Sequence, residues 1–363
     1  MSPGQALLHL TGGEALATNR FDLLRLLFAG GVAVFHAVAL SAIAPLSDLE
    51  NVLSHLAELC IEGFFIVSGA LVFGSLARAD DLADYAGKRV RRLYPAYAVI
   101  ILLPALVSLI IAGPGALAQI AHYLGANLVF LNFLSPELPG LFQGQRFEEV
   151  NGALWTLKIE VMFYLALPVI AALMRLAGRG GWVVLLVLYV AGEAWRLLVP
   201  AILEGDGVAG MLNAYGPQIA RQLPGQMAFF ASGMALWLMW DQVKTRPGRF
   251  GLVGFVLFAA SWLPWLEPLR AAGLAGLIAW AAFAPGPVLN AARFGDISYG
   301  LYIAHFPIIQ MIVMAGVFSA AGPSIGFAAA AVLTVAASFL LWWLVEKPAL
   351  RKDSHYRQAA RDS

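Results

Sequence analysis

Long apolar runs, separated by short polar or Gly/Pro-containing stretches, dominate the pattern of this sequence. Most of them are about 20 residues long, which is enough for an α-helix to cross a hydrocarbon core about 30 Å thick. In lipid a spanning segment must satisfy its own backbone hydrogen bonds, so the runs predict helices. The fold class that we expect is all-α, a polytopic bundle of transmembrane helices. The runs lie near residues 22–44, 53–76, 93–112, 118–134, 155–177, 181–200, 220–240, 250–266, 269–284, 298–319 and 323–345.

The distribution of basic residues predicts the orientation of these helices, because arginine and lysine are enriched in cytoplasmic loops. All basic clusters can be cytoplasmic only if the run at 118–134 does not cross and forms a re-entrant or surface segment. We therefore predict about ten spanning helices in a transmembrane domain at 21–346, with a cytoplasmic segment at 1–20 and a cytoplasmic tail at 347–363. The clusters are Arg78 with Lys88, Arg89, Arg91 and Arg92; Arg175 with Arg179; Lys244 with Arg246 and Arg249; and Lys347 with Arg351, Lys352 and Arg357.

The composition agrees with a membrane domain and excludes several classes of function. Of the 363 residues, 60% are hydrophobic and 12% are charged, whereas soluble domains carry about 25% charged residues. The formal net charge of +1 argues against a protein that binds nucleic acid. Cys60 is the single cysteine, so an intramolecular disulfide, an iron–sulfur cluster and a cysteine-rich zinc site are excluded, and no metal is expected.

Ionisable side chains inside the first apolar run are the strongest functional candidates, because charge within a bilayer is costly and usually faces the bundle interior. Arg25 and His36 are 11 residues apart, about three helical turns, so they share one helix face and lie about 16 Å apart along the axis. Arg25 is expected near the cytoplasmic edge and His36 near mid-membrane. A structural alternative has equal weight: Arg25 reaches lipid phosphates and His36 bonds a neighbouring helix.

Three further apolar segments carry polar groups. Glu62 precedes a run with small residues that permit close helix packing, and Glu160 lies near the start of the fifth run. Tyr299, Tyr302 and His305 follow an i, i+3, i+6 spacing on one helix, which predicts a polar stripe. A hydrogen-bonded seam between helices explains this stripe as well as chemistry does.

Arg89 and Arg92 precede the third apolar run. They have a plain explanation as a cytoplasmic cluster that sets topology. The functional alternative is phosphate capture, because the planar guanidinium suits two-pronged contacts with phosphate oxygens. The segment from Glu346 to Pro348 is interpreted as an ordinary end of a membrane helix.

Taken together and in order, these segments resemble the acyltransferase-3 family of membrane acyltransferases. Lys158 and Ile159 depart from the acidic or polar residues that family members often have there. The resemblance implies O-acyl transfer from acyl-CoA, most often acetyl-CoA, to a hydroxyl of a carbohydrate or lipid-linked glycan, at the bacterial inner (plasma) membrane with both termini cytoplasmic. It rests on Arg20 to Arg25 with His36, Glu62 to Gly69, Arg89 to Tyr97, Trp155 to Tyr164, Ser298 to His305 and Val345 to Pro348.

The resemblance also suggests roles for individual residues. A neutral imidazole can accept the proton of an alcohol near neutral pH, so His36 is the candidate general base, although a transient acyl-imidazole that carries the group across the bilayer is an open alternative. Arg25 is expected to bind donor phosphates or to steady the thioester oxygen. Glu62 and Glu160 are expected to orient the imidazole of His36 or to bind sugar hydroxyls. The candidate donor-binding residues are Arg89, Arg92, Tyr299 and His305.

Two other classes of function remain open at the level of sequence. A polytopic transporter or flippase for a glycan would use the intramembrane arginine and histidine as a substrate path. A non-enzymatic assembly subunit would give no reason for Arg25 and His36 to share a face. Release of free thiol from acetyl-CoA distinguishes an acyltransferase from both.

Overall fold

The computed structural model of the chain describes residues 19–43, 46–203, 216–287, 289, 291, 295–351 and 354. Within these ranges the regular secondary structure is helical and contains no β-strand, which confirms the predicted all-α class. The α-helices are α1 (Phe21–Ser41), α2 (Ser47–Ala77), α3 (Leu82–Ala112), α4 (Leu117–Asn127), α5 (Trp155–Ala177), α6 (Gly181–Leu203), α7 (Gly216–Ala220), α8 (Leu223–Leu238), α9 (Trp240–Thr245), α10 (Pro247–Ala260), α11 (Arg270–Phe283), α12 (Ser298–Met314), α13 (Val317–Ala320), α14 (Pro323–Leu341) and α15 (Lys347–Ala349).

Six helical stretches of the described chain are long and apolar enough to cross a membrane, which identifies an integral membrane protein. The stretch Gly152–Leu203 contains two helices of 23 residues each, α5 and α6, joined by a short 3-10 turn. The count of about ten spans stays a prediction. The six stretches are Phe21–Ser41, Asp48–Ala77, Leu82–Ala112, Gly152–Leu203, Pro264–Phe283 and Pro323–Ala349, and Pro247–Ala260 and Ser298–Met314 are shorter apolar helices.

Helix α4 occupies the run that was expected not to cross. It has 11 residues, so it is about 16 Å long, roughly half the thickness of the hydrocarbon core. The side-chain amide of Asn127 ends the helix by donating to the carbonyl oxygens of Tyr123 and Ser135, at 2.9 and 2.7 Å. The length of α4 therefore agrees with a re-entrant or surface segment.

The helices group into two compact units. The first unit comprises Met1–Leu24, Glu62–Tyr85 and Ile159–Leu289, as far as these ranges are described. Its interior contains Phe163 of α5 stacked on Phe230 of α8, with ring centroids 3.9 Å apart. The backbones of α2 and α8 also approach closely within this unit. Interior contacts of this kind depend on small residues where two helices cross.

Gly233 on α8 is one such residue, and its replacement tests the packing of the first unit. A Cβ atom at Gly233 would lie 2.0 Å from the carbonyl oxygen of Ile66 on α2. We expect Gly233→Ala to destabilise the protein by about 1 to 3 kcal/mol, because the helices must separate. Gly248 is the matched control, since a Cβ there meets nothing within 4 Å. Thermal unfolding in detergent measures both variants, and equal midpoints would contradict the expectation.

The second unit comprises Arg25–Ile61, Ala86–Lys158 and Asn290–Ser363, again as far as described. A long connection between α4 and α5 is anchored to the helices of this unit. Asn151 donates to the carbonyl oxygen of Ile303 at 2.8 Å, and Gln310 donates to that of Phe147 at 2.6 Å. Arg146 forms an ion pair with Glu50 at 2.8 Å. The connection is thus held against α2 and α12 within the unit that contains the candidate site.

Candidate active site

Two histidines from different helices meet in the second unit. Nδ1 of His36, on α1, lies 2.9 Å from Nε2 of His305, on α12. The two rings meet edge to edge, with their planes inclined by 25° and their centroids 5.0 Å apart. His305 is completely buried, whereas His36 is partly exposed. A histidine that is held by a hydrogen-bonding partner is suited to proton transfer with a bound substrate.

Aromatic and hydroxyl groups surround this histidine pair. The ring of Phe306 meets His36 edge-on, with centroids 5.1 Å apart. Tyr302 packs against His305 at 5.9 Å, and its hydroxyl group lies 2.6 Å from Oγ1 of Thr156. Nδ1 of His305 lies 3.1 Å from the carbonyl oxygen of Leu301. Both ring nitrogens of His305 and Nδ1 of His36 therefore have specific neighbours.

A buried ionic cluster occupies the same unit. The carboxylate of Asp296, which precedes α12, bridges Arg25 at 2.9 Å and Arg92 of α3 at 2.5 Å. Arg92 also pairs with Glu346 at 2.5 Å, and Ser298 donates to Asp296 at 2.6 Å. Two guanidinium groups and two carboxylates thus compensate each other's charge, which a buried ion requires.

The arginines set the protonation state of Asp296. Burial by itself raises the pKa of this carboxyl group, but the guanidinium groups of Arg25 and Arg92 outweigh that effect and hold its pKa below the usual value. Asp296 is consequently a carboxylate throughout the physiological pH range. Its ion pairs connect α1 and α3 to the residues just before α12.

The contacts of Arg25 and His36 agree with the prediction that the two side chains share one face of α1. Arg25 contacts Asp296 immediately before α12, and His36 contacts His305 within α12. Tyr299, between those two positions on α12, donates its hydroxyl group to the carbonyl oxygen of Leu93 at 2.8 Å. The second unit therefore brings together five predicted site residues, namely Arg25, His36, Arg92, Tyr299 and His305.

Arg89 also belongs to the second unit, one turn before Arg92 on α3, and is partly exposed. Arg92, by contrast, has 7% of its surface exposed, and its guanidinium is engaged by two carboxylates. The phosphate-binding roles predicted for these two arginines stay predictions. The environment of Arg89 suits contact with a soluble donor better than that of Arg92 does, because Arg89 is the more accessible.

Glu62 and Glu160 belong to the first unit, where each has partners. Arg270 forms an ion pair with Glu62, in which Nη2 and Nε of Arg270 lie 2.7 and 3.0 Å from Oε1 of Glu62. Glu160 accepts hydrogen bonds from Ser68 at 2.9 Å and from Tyr164 at 2.5 Å. Their predicted roles in orienting the imidazole or binding sugar stay predictions.

Two acidic residues of the cluster were not identified from the apolar pattern. The interpretation of Glu346 as an ordinary helix end is wrong, since it is 1% exposed and ends a π-helical turn, Trp342–Glu346, a distortion common at functional sites. Asp296 was not predicted as a site residue because it lies in the stretch between two apolar runs. The signal for Asp296 was an arginine inside a span, Arg25. The signal for Glu346 was Arg92 at the entrance to the third apolar run, because a buried arginine needs an acidic partner.

The described residues contain no group of three or more His, Cys, Asp or Glu side chains arranged to hold a metal ion. The imidazole of His36, with a fixed partner, can accept and return a proton.

Comparison with known proteins gives two kinds of match. A family model described as an acyltransferase domain matches residues 18–343. An O-acetyl transferase of Shigella phage Sf6 is 27% identical over 340 residues, which cover 93% of this chain and 97% of the relative. Nodulation protein 10 of Rhizobium leguminosarum bv. viciae is 27% identical over 358 residues, which cover 92% of this chain and 93% of the relative. No solved structure matches the chain.

Proposed function

The chain belongs to the acyltransferase-3 family and is an acyltransferase for groups other than amino-acyl groups, and we propose that it transfers an acetyl group from acetyl-CoA to a hydroxyl group of a carbohydrate or lipid-linked glycan. The name of the phage relative supports the acetyl group and the oxygen acceptor. In this proposal acetyl-CoA binds from the cytoplasmic face of the bacterial inner membrane. The observation that carries the proposal is the partly exposed His36, held by the buried His305.

His36 acts as the general base in the proposed reaction. It accepts the proton of the acceptor hydroxyl while the hydroxyl oxygen attacks the thioester carbonyl carbon. The tetrahedral intermediate then expels the CoA sulfur, and the carbon–sulfur bond breaks. The departing thiolate takes the proton from the imidazolium of His36. The products are an O-acetyl ester and free CoA, and His36 returns to its neutral state.

The geometry favours one of the two roles considered for Arg25. Eleven positions separate it from His36 on α1, about 16 Å along the helix axis, which is too far for direct contact with the thioester oxygen at His36. We therefore assign Arg25, with Arg89, to the phosphate end of the donor. Asp296 fixes the orientation of the Arg25 guanidinium at 2.9 Å.

Thiol release from acetyl-CoA tests the proposed activity. The purified chain in phospholipid vesicles is mixed with acetyl-CoA and a panel of bacterial oligosaccharides, both free and lipid-linked. We expect one free thiol for each O-acetyl ester, measured with a thiol reagent and by mass spectrometry of the glycan. No thiol release with any acceptor, together with movement of a labelled glycan across the vesicle membrane, would establish a transporter instead.

A further inference from the structure

Two hydrogen-bonding partners of His36, the side chain of His305 and the main chain of Val32, constrain which nitrogen of its ring carries a proton. From them we propose that His305 is a positioning residue, which holds His36 as the tautomer with an unprotonated Nε2 facing the substrate. The inference rests on the proposed function, because it specifies which atom of His36 is the base. It differs from the donor-binding role expected for His305, since it requires no contact between His305 and acetyl-CoA.

The first step concerns His305 itself. Its Nδ1 lies 3.1 Å from the carbonyl oxygen of Leu301. A carbonyl oxygen can only accept a hydrogen bond, so Nδ1 of His305 must be the donor. A neutral imidazole carries one N–H group, and the ring is completely buried, where a net charge is costly. Nε2 of His305 is therefore unprotonated and can only accept.

The second step concerns the protonated nitrogen of His36. Nε2 of His305 lies 2.9 Å from Nδ1 of His36, a normal length for a hydrogen bond between nitrogens. Because Nε2 of His305 is the acceptor, Nδ1 of His36 carries the hydrogen. The neutral ring of His36 then has its lone pair on Nε2, away from His305. That nitrogen is the atom that accepts the proton of the acceptor hydroxyl.

The third step concerns the effect on catalysis. A free imidazole interchanges its two tautomers, and only one of them presents a lone pair to the substrate. In hydrolases with a Ser-His-Asp triad, a carboxylate on Nδ1 fixes the tautomer of the base. Here a neutral imidazole takes that place, backed by a main-chain carbonyl. The ring of Phe306, edge-on to His36 with centroids 5.1 Å apart, also restricts the rotation of His36.

Solid-state NMR of the full chain tests the tautomer directly. The protein is labelled with ¹⁵N-histidine and reconstituted in lipid, and His36→Gln assigns the signals of His36 among the six histidines. We expect a protonated Nδ1 and an unprotonated Nε2 for His36 in the unsubstituted protein. A His36 ring protonated at Nε2 and not at Nδ1 would overturn the inference, and this measurement requires no variant of His305.

Kinetics of two variants separate positioning from donor binding. His305→Leu removes the side-chain acceptor for Nδ1 of His36 and leaves only the main chain of Val32 as a partner. We expect kcat to fall about 10- to 100-fold while KM for acetyl-CoA changes by less than about twofold. His305→Gln places an amide oxygen in reach of Nδ1, and we expect it to recover at least part of the lost kcat. A rise in KM at constant kcat in both variants would make His305 a donor-binding residue and overturn the positioning role.

The two proposals fail separately. Full acetyl transfer by a folded His36→Ala variant would remove His36 as the base and with it the proposed mechanism. Loss of transfer in His36→Ala, combined with unchanged kcat in a folded His305→Leu variant, would remove only the role of His305. The NMR signals of the unsubstituted protein decide the tautomer even where His305→Leu does not fold.

Discussion

His36→Ala is expected to lower the rate of acetyl transfer by at least about 100-fold, the smaller end of the contribution of a general base. The physical reason is that an alcohol attacks a thioester slowly until its proton is accepted. Because the ring of His36 also contacts His305 and Phe306, the variant is first shown to be folded by its unfolding midpoint. The measurement is kcat of the purified variant in lipid, with thiol release and ester formation followed together.

His55 provides a control for this experiment. It is an exposed histidine of α2, and its Nδ1 lies 2.8 Å from the carbonyl oxygen of Asn51. His55→Ala removes an imidazole from the same unit without touching the histidine pair, so its transfer rate should match that of the unsubstituted protein. Comparable rates for His36→Ala and His55→Ala would contradict the assignment of the base.

The same variant separates the two chemistries open to His36. If the ring carried the acetyl group, radiolabelled acetyl-CoA without an acceptor would label the protein, and His36→Ala would abolish the label. A general base forms no such bond, and the proposed mechanism predicts no stable label on either protein. A label that disappears in His36→Ala and reaches the acceptor on addition of glycan would replace the general base by an acyl-imidazole.

Arg92→Ala is expected to destabilise the protein by about 3 to 5 kcal/mol, because it leaves the buried carboxylate of Glu346 without its cation and removes one of the two cations of Asp296. Arg92 pairs with Asp296 and Glu346 at 2.5 Å each, and its side chain is only 8% exposed. The measurement is the midpoint of unfolding in detergent, by heat or by denaturant. The effect on stability is expected whether or not the arginine also contacts the donor.

Arg146→Ala is the matched control, since Arg146 pairs with Glu50 at 2.8 Å in the same unit but its side chain is 42% exposed. An exposed ion pair contributes about 0 to 1 kcal/mol. Adding Glu346→Gln to Arg92→Ala should recover part of the stability, because it removes one of the stranded charges. Equal losses for Arg92→Ala and Arg146→Ala would contradict the structural role of the cluster.

The sequence predicted the fold class but not the ends of individual helices. The apolar run at 93–112 belongs to a helix that begins at Leu82, because the charged residues before the run continue the helix outside the apolar stretch. The run at 298–319 is interrupted after Met314, and Gly316 adopts a left-handed φ of 68°. Hydropathy reports which surface lipid can cover, and a helix end is set instead by local backbone geometry.

The candidate site was predicted residue by residue but not as pairs. Helical spacing placed Arg25 and His36 on one face, and both residues take part in the observed contacts. The partner of His36 lies 269 positions away in the chain, and no periodicity within one helix identifies a contact between two helices. Asp296 was not predicted, because it lies outside the apolar runs, where a single carboxylate is an ordinary loop residue.

The ionic cluster also has a consequence for the biogenesis of the protein. Arg92 precedes Asp296 by 204 positions and Glu346 by 254 positions. At a synthesis rate of about 5 to 20 residues per second, the third helix waits roughly 10 to 50 seconds for these carboxylates. During that interval the guanidinium must stay at the lipid headgroups or be sheltered by the insertion machinery. Asp296 is the first carboxylate that becomes available to the arginine, and the pairing is complete only when the helix that contains Glu346 has been made.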